Sequence, residues 1–400
     1  MTGVRSVLRA STATLLQAAA TFLLGVITAR VLGPTGQGVV TSVLTVVAIA
    51  ILSVGLGSGI ALRVRSRPLP SEEDLAGYAL VSLVAVPVAA VLSALATYVV
   101  VSDSRTGGLL ALTAALAAVL MAARQATDAC QALGRTQAAI LSALVLSSTQ
   151  LLAFLVVVAS GDVSVSATIG AAIVGGVAQL VYCWMVIRSR LTTRMRPSRQ
   201  AARSLVAHGI PSLGYSMGLL LLQRVDRVVL GIVAGPTAVG VYAAAATLAE
   251  VVRLLPTTIG QLLFSRAAET GTVSPDIRTL RRRMILLSVL AVATLEAAAP
   301  LLPRLLGEAY SSVVPVFRVL LVAELAMGMA LMDSRISLGL GAIRAVSRDT
   351  LIWVTVGIAA YVVGARVAGA MGAAIATTAL YAGYALTLRL RRPTNRTEQL

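Results

Sequence analysis

The sequence contains no lysine, two cysteines and one histidine, and only 12% of its 400 residues are charged. Soluble domains carry about 25% charged residues, so an ordinary cytosolic enzyme is excluded. Cys130 and Cys183 both lie in apolar segments and offer neither a disulfide framework nor a metal cluster. A single histidine, His208, cannot build a zinc site. No metal centre is therefore expected.

Hydrophobic residues are abundant, at 58% of the chain, and the mean hydropathy is +0.90. A soluble chain of this length could not hide so much apolar surface. A membrane-spanning helix needs about 20 mostly apolar residues. Twelve such blocks can be marked, at 12–31, 39–62, 76–101, 108–128, 138–159, 167–187, 209–231, 239–263, 284–306, 315–338, 350–368 and 370–388. They lack the alternation of β-strands, so we predict an all-α membrane protein with about twelve transmembrane helices.

The basic residues are all arginines and give a net charge of +17. In a soluble protein this charge would suggest nucleic acid, but here most arginines lie between apolar blocks. They concentrate in connections on one side, whereas the opposite connections hold only Arg105 and Arg304, with Arg366 at the margin. The positive-inside rule explains this distribution. We therefore expect a multi-pass protein with both termini in the cytoplasm, and no nucleic-acid partner.

A short motif occurs twice in the chain. Residues 33–39 read Gly-Pro-Thr-Gly-Gln-Gly-Val and residues 235–241 read Gly-Pro-Thr-Ala-Val-Gly-Val, so five of seven positions agree. Each copy follows one apolar block and precedes another, which favours duplication. The sequence thus predicts two six-helix lobes related by a pseudo-two-fold axis along the membrane normal. The predicted boundaries are 1–190 for the N-terminal lobe, 191–208 for a basic cytoplasmic linker, 209–388 for the C-terminal lobe and 389–400 for a cytoplasmic tail.

Several arginines lie inside or at the edge of the apolar blocks: Arg30, Arg124, Arg224, Arg227, Arg253 and Arg335. Each would cost about 2.5–3.5 kcal/mol if it faced lipid at mid-membrane. Structural ion pairing is one interpretation, since Glu250 and Arg253 at i,i+3 and Arg124 and Asp128 at i,i+4 share helix faces.

Phosphate binding is the other interpretation, because a guanidinium group binds phosphate with two parallel hydrogen bonds. Arg224 and Arg227 have one acid beside them, Asp226, which leaves positive charge uncompensated. We interpret Arg224 and Arg227, with Arg30 and Arg253, as candidate ligands of a pyrophosphate.

Acidic residues within the blocks are candidates for coupling transport to H⁺ or Na⁺. They are Asp226, Glu250, Glu296 and Glu324, with Asp333 as a further member. Glu296 lies four residues before Pro300, and a proline frees a backbone carbonyl and bends the helix there. For any one of these acids, structural pairing remains an alternative.

The two repeats carry a family resemblance. Residues 29–34, Ala-Arg-Val-Leu-Gly-Pro, are followed by Gly38, and residues 226–231, Asp-Arg-Val-Val-Leu-Gly, by Val-Gly-Val-Tyr at 239–242. These stretches resemble the bacterial polysaccharide flippases (Wzx-type) of the multidrug/oligosaccharidyl-lipid/polysaccharide exporter superfamily. The resemblance implies alternating access between two lobes. It also implies export of an undecaprenyl-pyrophosphate-linked oligosaccharide across the bacterial cytoplasmic membrane for surface polysaccharide assembly. The implied partners are that lipid, the bilayer and polysaccharide polymerase machinery, without a cofactor.

Other functions stay open. A multidrug exporter of the same fold, an ion-coupled antiporter, commonly places an acid in the first span, and residues 12–31 contain none. A membrane-embedded glycosyltransferase or ligase needs catalytic groups on a sizeable external loop. The external connections here are short and hold little beyond Asp103, Asp162 and Glu308. An enzyme is therefore not expected. Twelve spans also lack the extra C-terminal pair typical of peptidoglycan-precursor flippases.

Overall fold

A computed structural model describes residues 2–65, 69–101, 107–188 and 198–391. Of residues 2–11, 14, 15, 65, 211 and 212 only the backbone is described. Within these ranges the chain is helical and contains no β-strand, which confirms the predicted all-α class. The predicted linker at 191–208 and tail at 389–400 lie partly outside the described residues, at 191–197 and 392–400.

Twelve α-helices follow one another along the described chain. They are α1 (Thr2–Val54), α2 (Ser58–Arg65), α3 (Glu72–Val100), α4 (Gly107–Ala132), α5 (Thr136–Ser160), α6 (Val165–Arg188), α7 (Arg199–Ala249), α8 (Leu254–Thr270), α9 (Pro275–Ala298), α10 (Leu302–Leu306), α11 (Val313–Gly339) and α12 (Ile343–Leu390). Short 3₁₀ turns cover Glu250–Arg253, Ala299–Leu301 and Glu308–Tyr310.

The described residues include nine helical stretches that are long and apolar enough to cross a membrane. The chain is thus a multi-pass membrane protein. Six stretches each match one predicted block. The other three, Leu16–Val54, Leu213–Thr270 and Ile343–Leu390, each contain two. The predicted block at 39–62 is not one helix, because α1 ends at Val54 and a turn separates it from α2.

The long helices are broken at glycines. In α1 the break is at Gly33, with φ 67° and ψ 179°, and in α7 it is at Gly235, with φ 81° and ψ 175°. A positive φ favours glycine, and the proline that follows each one disfavours helical ψ at the preceding residue. The glycines that begin the two copies of the repeated motif therefore share one backbone conformation. In α12 the break lies at Ala368 and Gly369.

The chain divides into two compact units. Unit 1 is Met1–Leu32 with Val39–Leu213, and unit 2 is Gly33–Gly38 with Gly214–Leu400. A core cluster of unit 1 joins α1, α3, α4 and α6 around Val43, Leu116 and Ile169. In unit 2 a core cluster joins α8, α9 and α11 around Leu263 and Met332.

The two copies of the repeated motif lie against each other within unit 2. A Cβ atom on Gly38 would overlap the carbonyl oxygen of Pro236, and one on Gly240 would overlap that of Pro34. The hydroxyl groups of Thr35 and Thr237 lie 2.8 Å apart. The contact is reciprocal, and it requires a residue without a side chain at both crossing positions.

We expect Gly240→Ala to destabilise the protein by roughly 1–3 kcal/mol, because the new methyl group meets backbone that cannot rotate away. Thermal unfolding of the purified protein in detergent measures this. Gly170→Ala in α6 is the matched control, since nothing lies within 4 Å of the added Cβ. Alanine favours a helix over glycine by roughly 0.5–1 kcal/mol, so the control should be neutral or stabilising. Equal losses in both variants would contradict the proposed close approach.

Candidate functional site

The candidate site is a group of charged side chains inside unit 2. Its members, here called the arginine cluster, are Arg224, Arg227, Glu250, Arg253 and Glu324. Helix α7 contributes the first two, the 3₁₀ turn Glu250–Arg253 the next two, and α11 the last. The structure therefore brings together three of the four predicted phosphate ligands and two of the predicted coupling acids.

A single carboxylate oxygen holds the cluster together. Oε1 of Glu250 lies 3.1 Å from Nη1 of Arg224, 2.9 Å from Nη2 of Arg227 and 3.0 Å from Nη2 of Arg253. Nη1 of Arg253 also lies 3.4 Å from Oε2 of Glu324. With all groups ionised, three positive charges meet two negative ones, and the cluster carries a net charge of +1.

The local backbone explains how Glu250 and Arg253 reach the same place. Pro256, in the first turn of α8, has no N–H for the carbonyl of the preceding turn. That preceding turn is 3₁₀, and in a 3₁₀ helix residues i and i+3 are eclipsed. Glu250 and Arg253 therefore project in the same direction. The pairing predicted from their i,i+3 spacing is confirmed.

The cluster has a buried side and a more accessible side. The side chains of Arg227, Arg253 and Glu324 are 9%, 11% and 5% exposed, whereas those of Arg224 and Glu250 are 26% and 24% exposed. Among the described residues, Nε of Arg227 has no hydrogen-bond partner, and Oε2 of Glu324 has only the 3.4 Å ion pair with Arg253. Buried polar atoms without partners are costly, so the cluster retains unused hydrogen-bonding capacity.

Asp226 belongs to a separate, adjoining network. The Tyr242 hydroxyl donates to Oδ2 of Asp226 over 2.6 Å, and the backbone N–H of Arg227 donates to Oδ1 over 2.7 Å. The Thr377 hydroxyl lies 2.7 Å from that of Tyr242 and 3.4 Å from that of Tyr361. All of these side chains are buried. The sequence places Asp226 beside Arg224 and Arg227 and suggests it as their ion-pair partner. That interpretation is wrong, because both arginines form their ion pairs with Glu250.

The other predicted residues lie elsewhere. Arg30 belongs to unit 1, where it is exposed. Glu296 pairs with Arg318 over 2.8 Å, and both side chains are about half exposed. Asp333 accepts two hydrogen bonds from Arg281, each 2.8 Å long.

In unit 1, an ion pair of 3.6 Å joins Asp128 to Arg63 on α2. The i,i+4 spacing predicts a pairing of Asp128 with Arg124, and it gives no sign of Arg63, which lies on a different helix.

Comparison with known proteins identifies the family. The sequence matches the family described as "Polysaccharide biosynthesis protein" over residues 4–269. The chain belongs to this family. The matched range contains every member of the arginine cluster except Glu324. No curated protein matches the chain in sequence.

Solved structures of the MOP superfamily share the fold of this polysaccharide biosynthesis family member. The lipid II flippase MurJ, in an inward closed conformation, aligns with a TM-score of 0.76 and 13% identity over 95% of this chain and 86% of its own. An inward-facing multidrug resistance MATE family transporter aligns with a TM-score of 0.73 and 16% identity over 96% and 98%. The chain therefore has a transporter or flippase fold. At these identities the likeness concerns the fold alone.

Tyr242→Phe should destabilise the protein by roughly 1–3 kcal/mol, because the buried carboxylate of Asp226 loses its side-chain donor. Thermal unfolding in detergent measures the loss. Tyr310→Phe is the matched control, since Tyr310 is also fully buried but its hydroxyl has no hydrogen-bond partner within the described parts of the chain. A similar loss in both variants would show that the hydroxyl of Tyr242 contributes nothing specific.

Proposed function

We propose that this protein is an alternating-access flippase that exports an undecaprenyl-pyrophosphate-linked oligosaccharide across the bacterial cytoplasmic membrane for surface polysaccharide assembly. The membership in a polysaccharide biosynthesis family and the MOP-type fold support this proposal. In our proposal twelve helices form two six-helix lobes, and both termini are cytoplasmic. Three of the nine spanning stretches contain an internal break, which supports a count of twelve.

The observation that carries the proposal is the sharing of Oε1 of Glu250 by three guanidinium groups. No two of the donor nitrogens are more than about 6 Å apart, because each lies close to the same oxygen. At an effective dielectric of 20, two positive charges at that distance repel by about 3 kcal/mol. Such an arrangement requires an anion at its centre, and Glu250 supplies one.

A pyrophosphate group fits the same donors. Its oxygens can accept the paired N–H groups of arginine. Glu250 in this structure accepts only one N–H from each of the three arginines, so it leaves donors unused. Arg224 and Glu250 are the accessible members of the cluster, so an incoming head group would reach them first. We propose that the pyrophosphate displaces Glu250 from Arg224, Arg227 and Arg253. Arg30, in unit 1, stays a separate prediction.

The displaced carboxylate suggests how transport is coupled. Once Glu250 has lost its guanidinium partners, a buried negative charge without a counterion is unfavourable. Glu250 would then bind H⁺ or Na⁺. Glu324 can take part through Arg253, and Asp226 through the backbone of Arg227. Glu296 remains a separate candidate for ion coupling, because it lies outside the arginine cluster and pairs with the half-exposed Arg318. Polysaccharide polymerase machinery is the proposed partner on the product side.

Substitution of the arginines tests the proposal directly. Arg224→Gln and Arg227→Gln should each slow export about tenfold or more, because each removes a charged hydrogen bond to the phosphate. Accumulation of the lipid-linked oligosaccharide at the cytoplasmic face, with protein levels checked, measures export in cells. Arg366→Gln, which changes an exposed arginine outside the cluster, should export at the wild-type rate.

Wild-type export by both Arg224→Gln and Arg227→Gln at normal protein levels would refute the assignment of the site. A multidrug exporter would instead give increased sensitivity to cationic drugs and no accumulated lipid intermediate.

Glu250→Gln should have two effects of opposite sign. Without ligand the protein should melt at a lower temperature, since three arginines lose their shared anion. Inorganic pyrophosphate should then bind more tightly than in the wild type, because its internal competitor is gone. The shift in melting temperature against pyrophosphate concentration measures both. Glu296→Gln, which removes an acid from a pair outside the cluster, is the matched control. Unchanged pyrophosphate binding by Glu250→Gln would contradict the competition.

A further inference from the structure

Unit 1 contains an apolar groove between α3, α4 and α6, with a volume of about 600 Å³. Its walls come from Leu75 to Pro87 on α3, from Ala122 to Ala129 on α4, and from Trp184 and Ile187 on α6. The side chains of Leu83 and Trp184 are 72% and 56% exposed. All three helices are long and apolar enough to span a membrane, so lipid is the medium at this surface.

One polar side chain in this groove lacks hydrogen bonds. Gln125 lines the groove and is only 6% exposed. Neither Nε2 nor Oε1 of its amide has a partner among the residues the structure describes. Gln179, on α6, shows the usual arrangement, because its Nε2 lies 3.3 Å from both the Thr127 and the Ser142 hydroxyl groups. A buried amide without partners is unfavourable, so Gln125 would be stabilised by a hydrogen-bonding group bound in the groove.

The position of Gln125 along α4 indicates which lipid group is within reach. It lies seven residues before the helix end at Ala132, or about 10 Å at 1.5 Å per residue. The interfacial layer between the ~30 Å hydrocarbon core and the edge of the ~40–45 Å membrane is roughly 5–7 Å thick on each side. With the end of α4 placed at the edge of the membrane, Gln125 lies just below the head groups, where the acyl chains join the glycerol. The ester carbonyl is the hydrogen-bond acceptor that a membrane lipid has at this level.

We propose that this groove binds an ester-linked glycerophospholipid, with an acyl chain along the apolar walls and an ester carbonyl that accepts a hydrogen bond from Nε2 of Gln125. An isoprenoid pyrophosphate has no carbonyl at this level, so the site is independent of the proposed transport substrate. A phospholipid is also present in large excess in any membrane, which favours its occupancy by mass action.

The wild-type protein provides the first test. The purified full-length chain in detergent is titrated with a phosphatidylglycerol carrying ester-linked chains and with its ether-linked counterpart, which has the same head group and chains but no carbonyls. We expect the ester lipid to bind about tenfold more tightly, as one buried hydrogen bond allows. Native mass spectrometry of the lipid-bound protein gives both affinities. Equal binding of the two lipids would overturn the proposal and leave water as the partner of Gln125.

Variants of Gln125 provide the second test. Gln125→Leu, or Gln125→Met if the first variant is poorly produced, should bind both lipids with the weaker affinity of the ether lipid. Gln179→Leu is the matched control and should discriminate between the lipids as the wild type does, although it loses internal hydrogen bonds. Continued preference for the ester lipid in the Gln125 variants would contradict the assigned contact. Failure of these tests would leave the transport proposal untouched, and the reverse also holds.

Discussion

The interior of unit 2 depends on one carboxylate oxygen that three guanidinium groups share. In an apolar helix each of these arginines alone would cost about 2.5–3.5 kcal/mol. Oε1 of Glu250 lies within 3.1 Å of all three, and Glu324 adds a second negative charge beside Arg253. Buried charges persist only when they are paired, so this contact allows the charged residues of α7, of the 3₁₀ turn Glu250–Arg253 and of α11 to lie together. The same contact marks a place where an anion is held.

Irregular backbone positions the charged groups. The 3₁₀ turn before Pro256 directs Glu250 and Arg253 the same way, and the break at Gly235 separates the part of α7 that carries Arg224 and Arg227 from the part that carries Tyr242. Both the irregular backbone at these two places and the arginine cluster lie in unit 2.

Flipping a lipid-linked sugar poses two separate physical problems. The head group must exchange water for protein partners that compensate its charge, whereas the tail stays in hydrocarbon throughout. Unit 2 offers guanidinium groups for the first requirement. Unit 1 presents long apolar helices, and in its groove the unpaired polar group is an uncharged amide, which suits the ester level of a bilayer. The proposed anion site in unit 2 and the proposed phospholipid site in unit 1, which is separate from transport, follow from this difference in chemistry.

Local chemistry determined the helical membrane fold, the glycine-proline breaks at Gly33 and Gly235, and the presence of arginines that must find partners. Hydropathy, the fixed φ of proline and the cost of buried charge all act within a few residues, so the sequence alone was sufficient for these. Only the tertiary structure decided which acid meets Arg224 and Arg227. Asp226 is adjacent to Arg227 in the chain but faces Tyr242, because neighbouring residues on a helix do not share a face. Glu250 reaches both arginines through the folding of α7 and the turn that follows it, and no spacing rule encodes a contact between residues so far apart.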